Sequence, residues 1–162
     1  MSILNCARRW MKQSIDDGFT LVEIAVVVAI IGIVAVIAIP TFSTVRSSST
    51  NSNVQHVLEA TQRAANWTAR DRGDFSHADA TSLTSSAFRT VDAGTTAMAE
   101  GSASVAVSAD ASIWVAAAKS PTGTCWMIRE TAGVVTYFHF TSGSCTGTAA
   151  LAIAPSSWGS TW

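Results

Sequence analysis

One stretch near the amino terminus constrains the fold of this 162-residue chain more than any other. Residues 18–40 read GFTLVEIAVVVAIIGIVAVIAIP, and after the glycine they stay apolar for 21 residues apart from Thr20 and Glu23. A helix rises about 1.5 Å per residue, so residues 19–39 would span roughly 30 Å, the thickness of a bilayer's hydrocarbon core. The sequence therefore predicts a helix here that can cross a membrane.

Two details distinguish this stretch from a simple membrane anchor. Glu23 lies inside the apolar run, where an unpaired carboxylate costs about 3 kcal/mol, so it needs a partner. The polar segment at residues 12–17 changes to apolar sequence at Gly18 without a transition. A glycine at that border indicates a backbone that is left accessible.

The sequence at residues 18–23, GFTLVE, resembles the signature of type IV pilins and their pseudopilin relatives. In that family, a prepilin peptidase cuts after the glycine and N-methylates the new terminal phenylalanine. The resemblance is close over residues 18–40 and holds only in outline elsewhere. It implies cleavage between Gly18 and Phe19, methylation of Phe19, and removal of residues 1–18 as a leader.

The resemblance also supplies the partner that Glu23 requires. In the family, the corresponding glutamate faces the cationic amino terminus of a neighbouring subunit, which would here be Phe19. Such an ion pair is stronger in a low-dielectric setting than in water, although desolvation offsets part of the gain. Family members also loosen the helix between the positions of Gly32 and Pro40 in filaments, which implies helix flexibility there.

Charge before the apolar run sets the expected orientation. Arg8, Arg9 and Lys12 lie in the leader, and the positive-inside rule keeps such a segment cytoplasmic and sends the remainder outward. A secretory signal would carry a small-residue cleavage site after the apolar core, and residues 41–43 are a poor substitute for one. Without the leader, seven basic and nine acidic side chains remain, which gives no electrostatic case for nucleic acid.

The three cysteines divide between compartments. Cys6 lies in the leader, whereas Cys125 and Cys145 are expected on the oxidising side and should pair with each other. This disulfide would stabilise the fold by about 3 kcal/mol on the entropic model. The alternative is a nucleophile elbow at residues 143–147 with His139 as base, but it requires a following helix, which we do not expect.

The fold class predicted is α+β. One bent helix is expected over residues 19–72, although the polar run at residues 47–53 contains poor helix formers. Its second half carries an apolar stripe at spacings of three and four, which would pack on an antiparallel sheet with a C-terminal disulfide loop. The stripe comprises Phe42, Val45, Val54, Val57, Leu58, Thr61, Ala64, Ala65 and Thr68.

The remainder divides into a polar connection and strands. The predicted segments are the leader at 1–18, a membrane or filament-core helix at 19–40, an amphipathic helix at 41–72, a loop at 73–102 and the sheet with its disulfide at 103–162. A short helical turn is expected near residues 82–88. Strands are predicted at residues 103–108, 112–118, 124–130 and 134–140, with a further edge strand at residues 149–154.

Metal binding, DNA binding and an exposed tryptophan contact patch have weaker support in the sequence. The histidines show no metal-ligand spacing, and no cofactor is expected. Arg63, Trp67, Arg70 and Arg72 could contact DNA, although a Trp67 packed on the head accounts for them better. Trp158 and Trp162 either pack on the sheet edge or form an exposed contact patch.

These observations favour a structural subunit of a type IV pilus rather than an enzyme. The expected partners are further copies of the chain in a helical filament, prepilin peptidase, the assembly machinery in the cytoplasmic membrane, and lipid before assembly. The location would be a single-pass cytoplasmic membrane protein before assembly and an extracellular pilus after it. A pseudopilin of a type II secretion system and a membrane-tethered binding module are the alternatives.

Overall fold

The computed structural model describes residues 19–84, 89–97 and 101–162. The chain forms two compact units, Met1–Ser43 and Thr44–Trp162, and we call the second unit the head. The described elements, in chain order, are α1 (Leu21–Arg70), α2 (Ala80–Thr84), β1 (Arg89–Val91), β2 (Ser102–Val107), β3 (Ile113–Lys119), β4 (Cys125–Thr131), β5 (Val134–Phe140), α3 (Gly147–Ala152) and a 3₁₀ turn (Pro155–Ser157).

The long first helix is confirmed, and it passes through the polar run at residues 47–53. Two contacts stabilise the helix at this weak point. Asn51 Oδ1 accepts hydrogen bonds from the hydroxyls of Ser120, at 2.7 Å, and Thr122, at 2.8 Å, both in the β3–β4 connection. Tertiary contact here outweighs poor helix propensity.

The predicted apolar stripe of the helix is buried only in part. Leu58, Thr61 and Ala65 are fully buried, and they form the helix side of the head's core. Phe42 and Val45, which were expected to begin the stripe, are 70% and 61% exposed. The prediction was therefore wrong for these two residues; within the head, the side chains of α1 that pack against the core begin at Val54.

Five strands form one sheet in the order β1-β2-β3-β4-β5. The pairs from β2 to β5 are antiparallel, as predicted, and the observed bounds differ from the predicted ones by at most one residue. β1 was not predicted, and it pairs parallel with β2, so the sheet is antiparallel in all its pairs except this one. The polar segment after the helix contains too few apolar residues to indicate this three-residue strand.

Alternate residues of the strands face opposite sides of the sheet, and each side has its own core. The first core joins α1 to one face and contains Leu58, Ala65, Val105, Trp114, Ala116, Trp126 and Ile128, among others. The second core covers the other face and contains Ala106, Val115, Ala117, Cys125, Met127, Cys145 and Ala150. The sheet is therefore covered on both faces.

The segment after the disulfide is helical, so the predicted edge strand at residues 149–154 was wrong. Thr146 caps α3, its hydroxyl accepting a hydrogen bond from the Ala149 backbone N–H at 3.1 Å. A Cβ at Gly147 would lie 2.8 Å from the Ala106 backbone nitrogen, so glycine is what allows α3 to approach β2. An N-cap followed by three alanines within the helix favours this conformation.

The carboxyl-terminal tail packs on the sheet, which resolves the two alternatives for its tryptophans. Gly159 and Tyr137 exchange two backbone hydrogen bonds, which adds an isolated bridge at the β5 edge. The Trp162 ring contacts Trp126 and Tyr137, and its indole N–H donates to Glu59 Oε1 at 3.2 Å. Both Trp158 and Trp162 are half-buried.

Candidate functional site

The residues of the predicted cleavage motif lie at the start of α1. Gly18 lies outside the described residues, and Phe19 is 76% exposed. Thr20 caps the helix, because its hydroxyl accepts a hydrogen bond from the Glu23 backbone N–H at 3.2 Å. Threonine followed three residues later by glutamate is a common signal for the start of a helix. The apolar helix therefore begins immediately after the predicted cleavage position.

Glu23 lies in the first turn of α1 and is exposed. A carboxylate there interacts favourably with the positive end of the helix dipole. Among the described residues, the ion pairs are those of Glu59 with His56 and with Arg63, so Glu23 has no cationic side chain opposite it in that part of the chain. Its carboxylate is available to a group from outside.

The first part of α1 presents apolar side chains in every direction. From Leu21 to Val36, each side chain is exposed except Ala35, which is half-buried. A continuous apolar surface of this kind marks a protein or membrane contact. The exposed large side chains are Leu21, Val22, Ile24, Val26, Val27, Val28, Ile30, Ile31, Ile33, Val34 and Val36.

Gly32 and Pro40 both fall within the bounds of α1. A Cβ at Gly32 would meet nothing within 4 Å, so no contact in the described chain requires glycine there. Glycine nevertheless weakens a helix by about 1 kcal/mol relative to alanine. The side chain of Pro40 lies outside the described ones, and the role of both residues in helix flexibility stays a prediction.

A described helix could cross a bilayer only if it were both long and apolar. Taken singly, none is long and apolar enough, whereas Leu21–Val36 and Thr41–Arg70 meet the requirement together by length and composition.

The predicted disulfide is present between Cys125, at the start of β4, and Cys145, just before α3. Their Cα atoms are 5.6 Å apart, and both residues are 2% exposed. A helix does follow Cys145, so the expectation that none would follow was wrong. The disulfide itself removes the free thiol that the nucleophile elbow would need.

A buried carboxylate on β4 was not predicted. Glu130 is 4% exposed, and its Oε2 accepts hydrogen bonds from the amides of Gln62 and Asn66 on α1. Alternate residues of a strand share a face, so Glu130 lies on the same side of β4 as Trp126 and Ile128, which face the helix. This alternation in the sequence could have predicted that Glu130 faces α1. The network joins α1 to the sheet through a satisfied polar contact.

Trp67 does not pack on the head as expected, because 74% of its surface is exposed. It follows Ala65 by two positions, which rotates it about 200° around the helix from that buried residue. Arg63 Nη1 lies 3.9 Å from Glu59 Oε2, and Arg70 is exposed.

The exposed aspartates of the head are held in local turns. The Ser108 hydroxyl and then the Ser112 hydroxyl and backbone N–H donate to Asp110, lowering its pKa from 3.8 to about 2. Hydrogen bonds from Ser76 lower the pKa of Asp74, and those from Ser82 lower the pKa of Asp79. Within the described residues, no three His, Cys, Asp or Glu side chains are grouped so that they could hold a metal ion.

Residues 16–39 match the family model of the prokaryotic N-terminal methylation motif. The chain has no significant match among curated proteins or among solved structures. The matched segment contains Gly18, Phe19 and Glu23 and most of the exposed apolar part of α1. The chain therefore carries a prepilin-type N-terminal methylation motif, consistent with a type IV pilin-like or pseudopilin-like protein.

Proposed function

We propose that this chain is a structural subunit of a type IV pilus. A prepilin peptidase removes residues 1–18 and methylates Phe19, and the assembly machinery in the cytoplasmic membrane then moves the subunit from lipid into an extracellular filament. The apolar part of α1 supports this proposal most directly, because its side chains are exposed all round in the isolated chain. That surface needs lipid or other copies of the same helix to cover it.

Glu23 gives the assembly its axial register. The new amino terminus at Phe19 carries a positive charge, and the free, exposed carboxylate of Glu23 on a neighbouring copy can neutralise it. Removing one partner of a buried ion pair is strongly destabilising, because the other charge is left without compensation in an apolar setting. Correctly aligned subunits are therefore favoured over misaligned ones.

Gly32 and Pro40 would allow local loosening of α1 when subunits pack. Proline lacks the backbone N–H that a helix uses, and glycine has the lowest helix propensity after proline. Loosening between these two positions would let a filament extend under load. The disulfide-closed head, by contrast, would keep its shape.

A pseudopilin of a secretion machine is the second candidate, because the methylation motif is common to both groups. The buried disulfide between Cys125 and Cys145 favours the pilus subunit, since a C-terminal disulfide loop is common in pilins. The two differ in product: a pilus subunit forms long fibres that shear from cells, and a pseudopilin forms a short fibre that stays with its machine.

Replacement of Glu23 tests the assembly step. Glu23→Ala should leave membrane insertion and cleavage intact and lower the yield of sheared filaments on the order of tenfold or more, because an unpaired terminal charge stays in the apolar core. Immunoblots of the membrane and sheared fractions measure both quantities. Glu59→Gln removes another carboxylate from α1 and should leave the yield unchanged.

Normal filament yield from Glu23→Ala would contradict the pairing. Release of a soluble chain that lacks the apolar helix would contradict the assignment to a pilus and support a secreted module.

A further inference from the structure

Trp67 is placed unlike the other tryptophans of the head. Trp114 and Trp126 are buried and Trp158 and Trp162 are half-buried, whereas Trp67 is 74% exposed on α1. An exposed tryptophan offers a large apolar ring and an indole N–H to a partner. Tryptophan is also among the residues that most often dominate the binding energy of a protein interface.

Two arginines flank Trp67 on the same side of the helix. Arg63 precedes it by four positions and Arg70 follows it by three, and residues at these spacings are neighbours on a helix surface. Both arginines are exposed, and the contact of Arg63 with Glu59 is an exposed pair that contributes little. This face of α1 therefore presents an indole between two cations, and we call it the Trp67 face.

A groove elsewhere on the head has complementary properties. Its volume is about 460 Å³, and it combines the exposed carboxylates of Asp79 and Asp92 with the half-buried apolar side chains of Ala93 and Val107. Among the described residues, ion pairs are made only to Glu59, so neither aspartate is paired with a cation there. We call it the acidic groove, and it is lined by Asp79, Ala80, Thr81, Asp92, Ala93, Gly94, Val105, Ala106 and Val107.

We propose that the Trp67 face of one copy docks into the acidic groove of the next copy. The indole would cover the apolar part of the groove, and Arg63 and Arg70 would lie opposite Asp79 and Asp92. The Trp67 face lies on α1, and no α1 residue lines the groove, so the two surfaces differ. A contact between different surfaces does not close on itself, and it extends into a fibre.

The occupant favoured is a second copy because the same chain carries both complementary surfaces. A formal net charge of −1 gives the chain as a whole no attraction for nucleic acid, which is the other class of partner that an aromatic between arginines could bind. The contact between heads rests on the filament assembly proposed above, and it adds to that assembly a site outside the apolar helix.

Cysteine cross-linking in cells that produce the full-length chain tests the contact. Arg63→Cys and Asp92→Cys are combined in one chain, with Cys6→Ser in the background, and treated with a short bis-maleimide. A ladder of dimers and larger multimers is expected from the double variant and from neither single variant. The matched control pairs Arg63→Cys with Val134→Cys, an exposed position outside the groove, and should give no ladder.

Adding Trp67→Ala to the cross-linking variant should lower the dimer yield on the order of tenfold, because it removes the proposed anchor. This change should leave folding intact, since Trp67 is exposed, and the thermal unfolding of the head checks that. Adding Asp79→Asn to the cross-linking variant should lower the dimer yield by less than Trp67→Ala does. The asparagine side chain can still accept the hydrogen bond that caps α2, and only the charge of Asp79 is lost.

The outcomes separate this contact from the proposed function. Filaments without a ladder overturn the head contact and leave the pilus assignment standing. A Trp67-dependent ladder in membranes that yield no filaments supports the contact and overturns the pilus assignment. Absence of both overturns both. Retention of DNA through the arginines, with no ladder, overturns the contact in favour of nucleic acid.

Discussion

The two parts of α1 have the same backbone conformation and opposite surroundings. From Leu21 to Val36, apolar side chains are exposed in all directions, whereas in the head one stripe of the helix, centred on Leu58 and Ala65, is fully buried. An amphipathic helix is stabilised by packing within its own chain, and a helix that is apolar all round needs cover from lipid or other chains. The partner of the first part therefore lies outside the chain.

Polar contacts show the same difference. In the head, Asn51, Gln62 and Asn66 of α1 hydrogen-bond with groups of the sheet and its connections. In the first part, Glu23 is the charged side chain between Leu21 and Val36, and no cation lies opposite it among the described residues. The polar groups of α1 named here for the head have partners within the chain, whereas Glu23 has no cationic partner among the described residues.

Truncating one side chain from each part of α1 sharpens the comparison most. Leu58→Ala should lower the free energy of unfolding of the head by about 2–5 kcal/mol, because it leaves a cavity in a fully buried site. Ile30→Ala removes a side chain that is 56% exposed and should leave that free energy unchanged. Denaturant titrations of the full-length chain in detergent, followed by tryptophan fluorescence, measure both. Equal losses would mean that the first part also packs within the chain.

The disulfide gives the next largest effect, and it should be confined to the head. Replacing Cys125 and Cys145 together with serine should lower the free energy of unfolding by about 3 kcal/mol on the entropic model. The bond joins residues that are 20 positions apart in the sequence. Without it, Cys145 would no longer tie the start of α3, which lies against β2 at Gly147, to β4. Cys6→Ser is the matched control and should have no effect. If helix association in the membrane also fell, the two regions would not be independent.

The smallest effect concerns the turn between β2 and β3. Hydrogen bonds from Ser108 and Ser112 lower the pKa of Asp110 from 3.8 to about 2, so the folded head favours the charged carboxylate. The resulting stabilisation is complete above pH 3.8 and is lost as the pH falls towards 2. Asp110→Asn should therefore be less stable than the unmodified chain at pH 7, with a difference that shrinks on acidification.

Thermal unfolding of both chains between pH 7 and pH 2 measures that difference. Asp71→Asn, at another exposed aspartate, is the control. A gap between the Asp110→Asn and unmodified chains that stayed constant with pH would show that the turn is stabilised by something other than the charge.

Much of the fold followed from periodicity. The four strands from β2 to β5 carry recurring Val, Ile and aromatic residues between turn sequences, so their positions were predicted within one residue. β1 has three residues in a polar segment, and its pairing depends on β2 rather than on its own pattern. The segment at residues 149–154 was predicted as an edge strand, although the Thr146 cap favoured a helix.

Residues of the candidate site could be predicted where a short sequence motif or a residue type identifies them. They could not be predicted where their role depends on tertiary contacts. The motif at residues 18–23 and the Cys125–Cys145 pair could be recognised from residue types alone. The roles of Glu130 and Trp67 could not, because they depend on which side of a strand or helix meets the core. Trp67 was expected to pack on the head, and its angular position on α1 places it in solvent instead.

We propose above all that the apolar part of α1 stays on the mature chain and forms the assembly surface. Mass spectrometry of the amino terminus of protein sheared from cells tests it most directly. The prediction is fibre protein that begins at methylated Phe19. Protein that still begins at Met1, or that begins beyond residue 40 and is recovered free in the medium, would contradict it.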